Sequence, residues 1–368
     1  MGYTVGMSPI DARVALVTGF PGFIGSRLVR RLLSDDPDLR IVALVERKVV
    51  ERAIELAREM SERIVVEPGN IAETGLGLGE ARFRELADSV TRVIHLAAIY
   101  DLAVPEAAAE AVNVNGTQHV IDFCRASRRL ERHDYVSTAY VAGMRTGRVL
   151  ESELDVGQRF KNHYESTKHR AERLVRASMK DIPTTIYRPG IVVGDSRTGE
   201  TQKFDGPYYV LRFISRLSRL HLPIPQIASE LAAFNVVPVD FIVDAMATGV
   251  RDPRFVGETL HLVDPSPVSA AELVRLLARA YVGKRPRWRL SPKVVDVALR
   301  SRHIRQIMAG IPRESVQYLQ HPVTFDTTRA TALLSAHDVR CPRFADYVDD
   351  MVRFFRAHEA DEKLNPAR

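Results

Sequence analysis

Apolar residues along this chain fall into two alternating patterns. Residues 13 to 18, RVALVT, form a short unbroken apolar run of strand type, and the PGFIGSRLVRRLLSDD that follows carries Ile24, Leu28, Leu32 and Leu33 at helical spacing. The strand signal recurs at RIVALVERK, RIVVEPGNI, RVIHLAAI, RHDYVSTAYV and TTIYRPGIVVG, with helical segments between most of these runs. Strands that alternate with helices require right-handed crossovers and form a parallel sheet covered on both faces. The pattern predicts an α/β architecture, a doubly wound domain over residues 13–195 that takes its ligand at the carboxyl ends of the strands.

Beyond residue 195 the alternation weakens. The polar passage GDSRTGETQKFDGPYY leads into helical patterns at VLRFISRLSRL, PVDFIVDAMATGV and SAAELVRLLARAYV, and prolines at 286, 292, 312, 322 and 342 interrupt the remainder. These features predict a smaller, mostly helical C-terminal substrate lobe over 196–358, with ETLHLVD a late strand that returns to the sheet. Residues 1–12 read as a flexible N-terminus and 359–368 as a loose tail.

Composition changes this picture little. With 368 residues, 45% hydrophobic and 27% charged, the chain is ordinary globular material able to bury a sizeable core. It has no apolar run of about 18 residues and no signal-peptide core, so a cytoplasmic protein is expected. Cys124 and Cys341, without metal-site or CxxC spacing, read as buried thiols, and no metal site is expected. The net charge of +6 suits anionic partners such as phosphorylated cofactors, thioester carriers or acidic lipid, and equally a solvated basic surface. No nucleic-acid motif is present.

Candidate chemistry begins at TGFPGFIG, where Gly19, Gly22 and Gly25 recur at every third position between the first strand and its helix. A tight turn, a bare backbone against a pyrophosphate and close helix–sheet packing each require a residue without a side chain, and the helix N-terminus then faces the phosphates. At the head of a series of strand–helix units the triplet marks a Rossmann-type dinucleotide site, with Phe20, Phe23 and Ile24 in the same turn. The second strand ends in ALVERK, where the cofactor ribose is read. Glu46 can accept from a ribose hydroxyl, while Arg47 and Lys48 can hold a 2′-phosphate. Two adjacent cations favour NADP(H) over NAD(H), and a Glu46 turned towards the ribose would reverse that preference. Asn70 and Ile71 of PGNIAE, and Ala97 and Ala98 of HLAA, fall where the third and fourth strands border the adenine and ribose.

Tyr164 and Lys168 of YESTK are four residues apart and share a helix face. A phenol with a pKa of about 10 exchanges protons poorly at neutral pH, and a nearby ammonium lowers that value. Lys168 can do this and hold the nicotinamide ribose. Ser137 and Thr138 end the fifth strand and face the same cleft. One hydroxyl can polarise a carbonyl oxygen while Tyr164 exchanges its proton and the cofactor carries hydride.

TGFPGFIG, HLAA, NVNGT at 113 to 117, YVSTAYV, YESTK and YRPGIVVGD stand in the order of the extended short-chain dehydrogenase/reductase superfamily, which the chain resembles. YVSTAYV, HYESTKHRAE and NVVPVDFIVDA are similar to the branch that holds fatty acyl-CoA reductases and the thioester-reductase domains of carboxylic acid reductases. The resemblance implies Thr138, Tyr164 and Lys168 as the catalytic trio, with Ser137 as the alternative hydroxyl. It sets Arg188, Pro189, Gly190 and Val192 beside the nicotinamide and Asn113 near the active-site helix. It also implies a homodimer, and a thioester delivered by CoA or by a carrier protein, since no adenylation or carrier segment is read in the chain. Two departures stand out: LVE in place of the branch's LVR, and no Asp-Glu pair after Thr138 of the kind sugar dehydratases carry.

Phe204, Tyr208, Tyr209, Leu211 and Phe213, with Ile304, Ile307, Met308 and Ile311, either line an apolar lobe suited to an acyl chain, polyketide or sterol-like ring or form that lobe's core. Lys284, Arg285, Arg287, Arg289 and Lys293 around Trp288 form a basic stretch for CoA, an acidic carrier, a peripheral membrane contact or plain solvent. The expected function is an NAD(P)-dependent oxidoreductase acting on a carbonyl, alcohol or acyl thioester of a hydrophobic substrate, including 3-hydroxysteroid or β-keto acid chemistry. A nucleotide-sugar isomerase with tightly held NAD and a non-catalytic dinucleotide sensor are the other classes.

Overall fold

The computed structural model describes residues 13–100, 104–286, 288–289 and 317–365. In chain order the strands are β1 (Arg13–Thr18), β2 (Leu39–Val45), β3 (Ile64–Pro68), β4 (Arg92–His95), β5 (Arg132–Val136), β6 (Gly147–Val149), β7 (Thr184–Pro189), β8 (Ile191–Val193), β9 (Pro225–Gln226), β10 (Val236–Pro238), β11 (Thr259–Leu262), β12 (Trp288–Arg289) and β13 (Val323–Phe325). Seven of them form one parallel sheet in the order β11-β7-β5-β4-β1-β2-β3. ETLHLVD thus supplies the outermost strand. The order reverses between β1 and β4, and the crevice at such a reversal is where an open α/β sheet takes its ligand.

Helices α1 (Phe23–Asp35), α2 (Val50–Met60), α3 (Glu80–Ser89) and α4 (Glu106–Ala109) follow the early strands. A π-helical stretch (Glu110–Asn115) joins α4 to α5 (Gly116–Ala126), and α6 (His163–Ser178) carries YESTK. Then come α7 (Pro207–Arg219), α8 (Val239–Arg251), α9 (Ala270–Val282), α10 (Thr328–Ser335) and α11 (Phe344–His358). Apolar strands buried on both faces need helices on both sides. One core layer sets Leu28 and Leu32 of α1 and Ile242 and Met246 of α8 against β1, β2 and β11, and the other packs Phe123 of α5 and Val175 of α6 against Leu16 and Tyr135.

The lobe has its own core, built by α7, α9 and α11. Phe204, Tyr208, Tyr209, Leu211 and Phe213 all lie inside it, so these residues are the lobe's packing and not an exposed acyl surface. The two regions are interleaved. Short parallel pairs β8–β10 and β6–β13 stitch the lobe to the segments that follow β7 and β5, α8 packs on α1, and Ala330 and Leu333 of α10 join the sheet's core. The stretch read as a loose tail is tied down as far as residue 365: Glu359 bonds Ser215 and Arg219, and the Leu364 carbonyl accepts from Phe204 N at 2.6 Å. Cys124 is buried and Cys341 only half-buried. Residues 1–12, together with Ile304, Ile307, Met308, Ile311, Arg287 and Lys293, lie outside the described residues. Among the described residues no helix is long and apolar enough to cross a membrane, and no cluster of three His, Cys, Asp or Glu side chains could hold a metal.

Candidate active site

The glycine turn closes on itself. Gly22 N donates to the Gly19 carbonyl at 2.9 Å, and Gly19 adopts φ +91°, in the left-handed region that only glycine enters without strain. A Cβ on Gly25 would lie 2.5 Å from the Gly19 oxygen, and one on Gly19 would lie 2.9 Å from the Leu96 Cβ. Helix α1 starts at Gly22 with no side-chain cap and no acidic residue in its first turn, so its free N–H groups suit a pyrophosphate. The turn offers backbone alone. Phe20 is buried in the sheet's core, Ile24 packs partly against it, and Phe23 turns outward beneath the Arg27 guanidinium.

A cavity of about 290 Å³ opens at the end of β2, lined by Glu46, Arg47, Lys48, Gly69, Asn70, Glu73 and Gly77. Lys48 Nζ stands 2.7 Å from Glu46, whose charge is thereby answered, while Arg47 has no acidic partner among the described residues. Asn70 holds its own turn, accepting from Ala72 N and donating to Glu73. Ile71 departs from the expectation. Its side chain is buried under α5, where a Cβ on Gly116 would lie 3.0 Å from it, so it packs the core and does not line the cavity. Ala97 N donates to Thr18 Oγ1 at 3.1 Å, which holds the loop after β4 tightly over Gly19, with Ala98 half-buried next to it.

The catalytic candidates converge where β5, β7 and α6 meet. Tyr164 is buried, stacks edge-on against Tyr100 at 5.1 Å and meets Thr138. Burial pushes its phenol above the ordinary value; the hydrogen bond with Thr138 opposes this and Glu165 adds to it. Thr138 caps the short turn that follows β5 and donates to the Pro189 carbonyl at 3.5 Å. Lys168 does not bond Tyr164. Its Nζ donates to the Val136 carbonyl at 2.7 Å and to the Tyr135 hydroxyl at 2.9 Å, over the Tyr135 ring. Burial brings this lysine down to about 7, against the pull of Glu172. The ammonium is thus held at the end of β5, and it is not among the groups that act on the Tyr164 phenol.

Ser137 and Arg188 serve the scaffold. Ser137 donates to Glu172 at 2.6 Å, and the fully buried Arg188 grips the same carboxylate through Nε and Nη2 while donating to the Glu153 carbonyl. Burial alone would raise Glu172, but Arg188 and Arg176 outweigh it and hold the carboxyl low. The Arg188 side chain is thus sequestered, and this segment can offer a cofactor only Pro189, Gly190 and backbone; Val192 is half-buried against the sheet's core. Asn113, in the π-helical stretch, accepts from Ile99 N at 2.9 Å and donates to Thr167 of α6 at 3.1 Å, so it ties α6 to the loop after β4. Tyr135, the partner of Lys168, and Glu172, the hub of the buried pair, carry no signal in the sequence: both look like core positions until the fold brings them together.

Residues 17–246 match the family model described as Male sterility protein. A linear gramicidin synthase of Brevibacillus parabrevis is 29% identical over 283 residues, 72% of this chain and 5% of that protein. The glycine betaine reductase ATRR of Emericella nidulans is 28% identical over 282 residues, 70% of this chain and 21% of that protein. The chain thus spans a small part of each of these relatives. Among solved structures, the terminal R domain from the myxalamid PKS-NRPS biosynthetic pathway superposes with a TM-score of 0.81 at 25% identity, covering 97% of this chain and 94% of that one. The glycine cradle, the strand order and the match over more than half the chain agree: the protein belongs to the male sterility protein family, within the thioester-reductase branch of the NAD(P)-dependent extended short-chain dehydrogenase/reductases.

Proposed function

We propose that the protein reduces the acyl thioester of a hydrophobic substrate to an aldehyde, using NADPH, at a site formed by Thr138, Tyr164 and Lys168. The observation that carries this reading is that Thr138, against the Pro189 carbonyl, and the Tyr164 phenol that it influences lie at the carboxyl ends of β5 and β7, whose Val136 and Tyr187 share a core with Phe20 of the glycine turn. Reductase relatives of the same family, among them one named for glycine betaine and one from a PKS-NRPS pathway, support it. The backbone of Gly19, Gly22 and Gly25 would hold the pyrophosphate, Arg47 the 2′-phosphate and Lys168 the nicotinamide ribose. The reduced nicotinamide, when bound, supplies hydride to the carbonyl carbon.

Tyr164, and Thr138 once its hydroxyl turns from the Pro189 carbonyl, would donate to the carbonyl oxygen and so stabilise the negative charge that grows there. Tyr164, kept protonated by burial, gives that oxygen its proton, and on collapse the same proton passes to the departing sulfur as the C–S bond breaks and the C=O bond re-forms. One thioester, one NADPH and one proton yield one aldehyde, one thiol and NADP⁺. Two of the three Lys168 N–H donors go to Val136 and Tyr135; the third would hold the nicotinamide ribose, and Lys168 would return the proton to Tyr164.

Turnover assays with NADPH and a long-chain acyl-CoA test this directly. Tyr164→Phe is expected to lower kcat roughly hundredfold or more while leaving the NADPH dissociation constant nearly unchanged; full turnover by that variant rejects the site. For the cofactor, Arg47→Ala is expected to weaken NADPH about tenfold, the worth of one charge-assisted hydrogen bond, and to leave NADH unaffected. Equal losses for both dinucleotides reject the phosphate role.

A further inference from the structure

Asn235 lies just before β10 and is 1% exposed, yet neither its amide nitrogen nor its amide oxygen has a hydrogen-bond partner among the described residues. Such a group is costly to bury unpaired, so its surroundings matter. Its backbone carbonyl accepts from Ile191 N at 2.9 Å, and a Cβ built on Gly190 would lie 3.5 Å from the Asn235 Cβ. Gly190 is the first residue beyond β7, and its neighbour Pro189 receives the Thr138 hydroxyl.

The direction of the side chain follows from strand alternation. Phe234 and Val236, on either side of it, point into the lobe core. Val237 and its register partner Val192 point the other way and pack with Phe20 of the glycine turn, Ile94 and Val136. Asn235 shares that second face and packs directly on Gly190, where a Cβ would lie 2.9 Å from the Asn235 carbonyl oxygen. An amide donor and an amide acceptor are therefore presented together at the carboxyl end of β7, on the side of the glycine turn.

We propose that the Asn235 carboxamide binds a planar amide of the bound ligand, pairing donor to acceptor and acceptor to donor, and so sets the reacting groups against Thr138 and Tyr164. A phosphate or carboxylate would answer only the N–H, whereas an amide answers both atoms in one plane. Two amides of the proposed ligands have this pairing: the carboxamide of the nicotinamide ring and the pantetheine amides of a thioester substrate. This inference rests on the reductase function proposed for the same cleft.

The near-isosteric Asn235→Leu separates a ligand-binding amide from a structural one. An amide reserved for ligand leaves the ligand-free melting temperature of the variant equal to or above that of the wild type, because an unpaired polar group has been removed. If the ligand is the nicotinamide, NADPH binds roughly tenfold more weakly, and 2′-phospho-ADP-ribose, which lacks the ring, binds as before. If it is pantetheine, NADPH affinity is unchanged, KM for an acyl-CoA rises by a similar factor, and KM for a simple alkyl thioester does not. A lower melting temperature in the ligand-free variant overturns the proposal whatever happens to binding, as does an unaltered affinity for both ligands. A wild-type protein that binds 2′-phospho-ADP-ribose and NADPH but turns over no thioester rejects the substrate reading and leaves the nicotinamide arm open to the same titrations. A wild-type protein that binds neither nucleotide rejects the reductase reading and this inference with it.

Discussion

Lys168 shows how one residue's environment sets its chemistry. Its ordinary value is 10.5, and burial beneath Tyr135 brings it to about 7 in the folded protein. Between those two values the unfolded chain keeps a proton that the folded chain has lost, so this lysine's contribution to stability improves as pH rises through that window and is worst at and below pH 7. Thermal melts of the wild type and Lys168→Met across the window are expected to show the wild type gaining on the variant as pH rises. A constant gap between them would mean that the amine is not desolvated as the structure has it. The same lysine holds Val136 and Tyr135 at the end of the strand that presents Thr138, so its loss should also end turnover.

At the scale of elements, one face of α6 carries two jobs. Tyr164 meets Thr138 and Lys168 holds the end of β5, and Glu172, one turn further on, reaches Ser137 and Arg188 and so locks the helix to the ends of β5 and β7. Glu172→Leu would leave the fully buried Arg188 without its carboxylate and is expected to cost about 3–5 kcal/mol. The readout is the midpoint of urea unfolding at an unchanged m-value. A loss under 1 kcal/mol would show that the pair contributes no more than a surface bridge, which is worth about 0–1 kcal/mol. Helix and strand periods made α6, β5 and β7 legible from sequence, as did the YESTK spacing. The roles of Ser137 and Arg188 were not, since a hydroxyl or guanidinium beside a catalytic motif looks the same whether it meets ligand or a carboxylate 35 or 16 residues away.

Across the whole molecule, the chain places its candidate site by reversing strand order between β1 and β4 and by bringing distant segments back onto α6. Tyr318 donates to Glu165 at 2.7 Å and accepts from Asn162 at 3.0 Å, the residue that caps α6. Pairing of β13 with β6 anchors the same returning segment. The start of α6 is thus held by a residue more than 150 positions downstream.

The sequence by itself determined what local physics governs: the parallel α/β plan from alternating apolar periods, the cradle from three glycines that no other residue can replace, and the shared helix face of Tyr164 and Lys168 from a spacing of four. Only the tertiary structure decided which polar side chains were already spent. Ser137 and Arg188 are committed to Glu172, Lys48 to Glu46, and Lys168 to β5, while Arg47 and Asn235 keep theirs to offer. Hydrogen bonds and charges between residues far apart in sequence leave no periodic trace along the chain, and their cost or benefit arises only when folding removes the water between them.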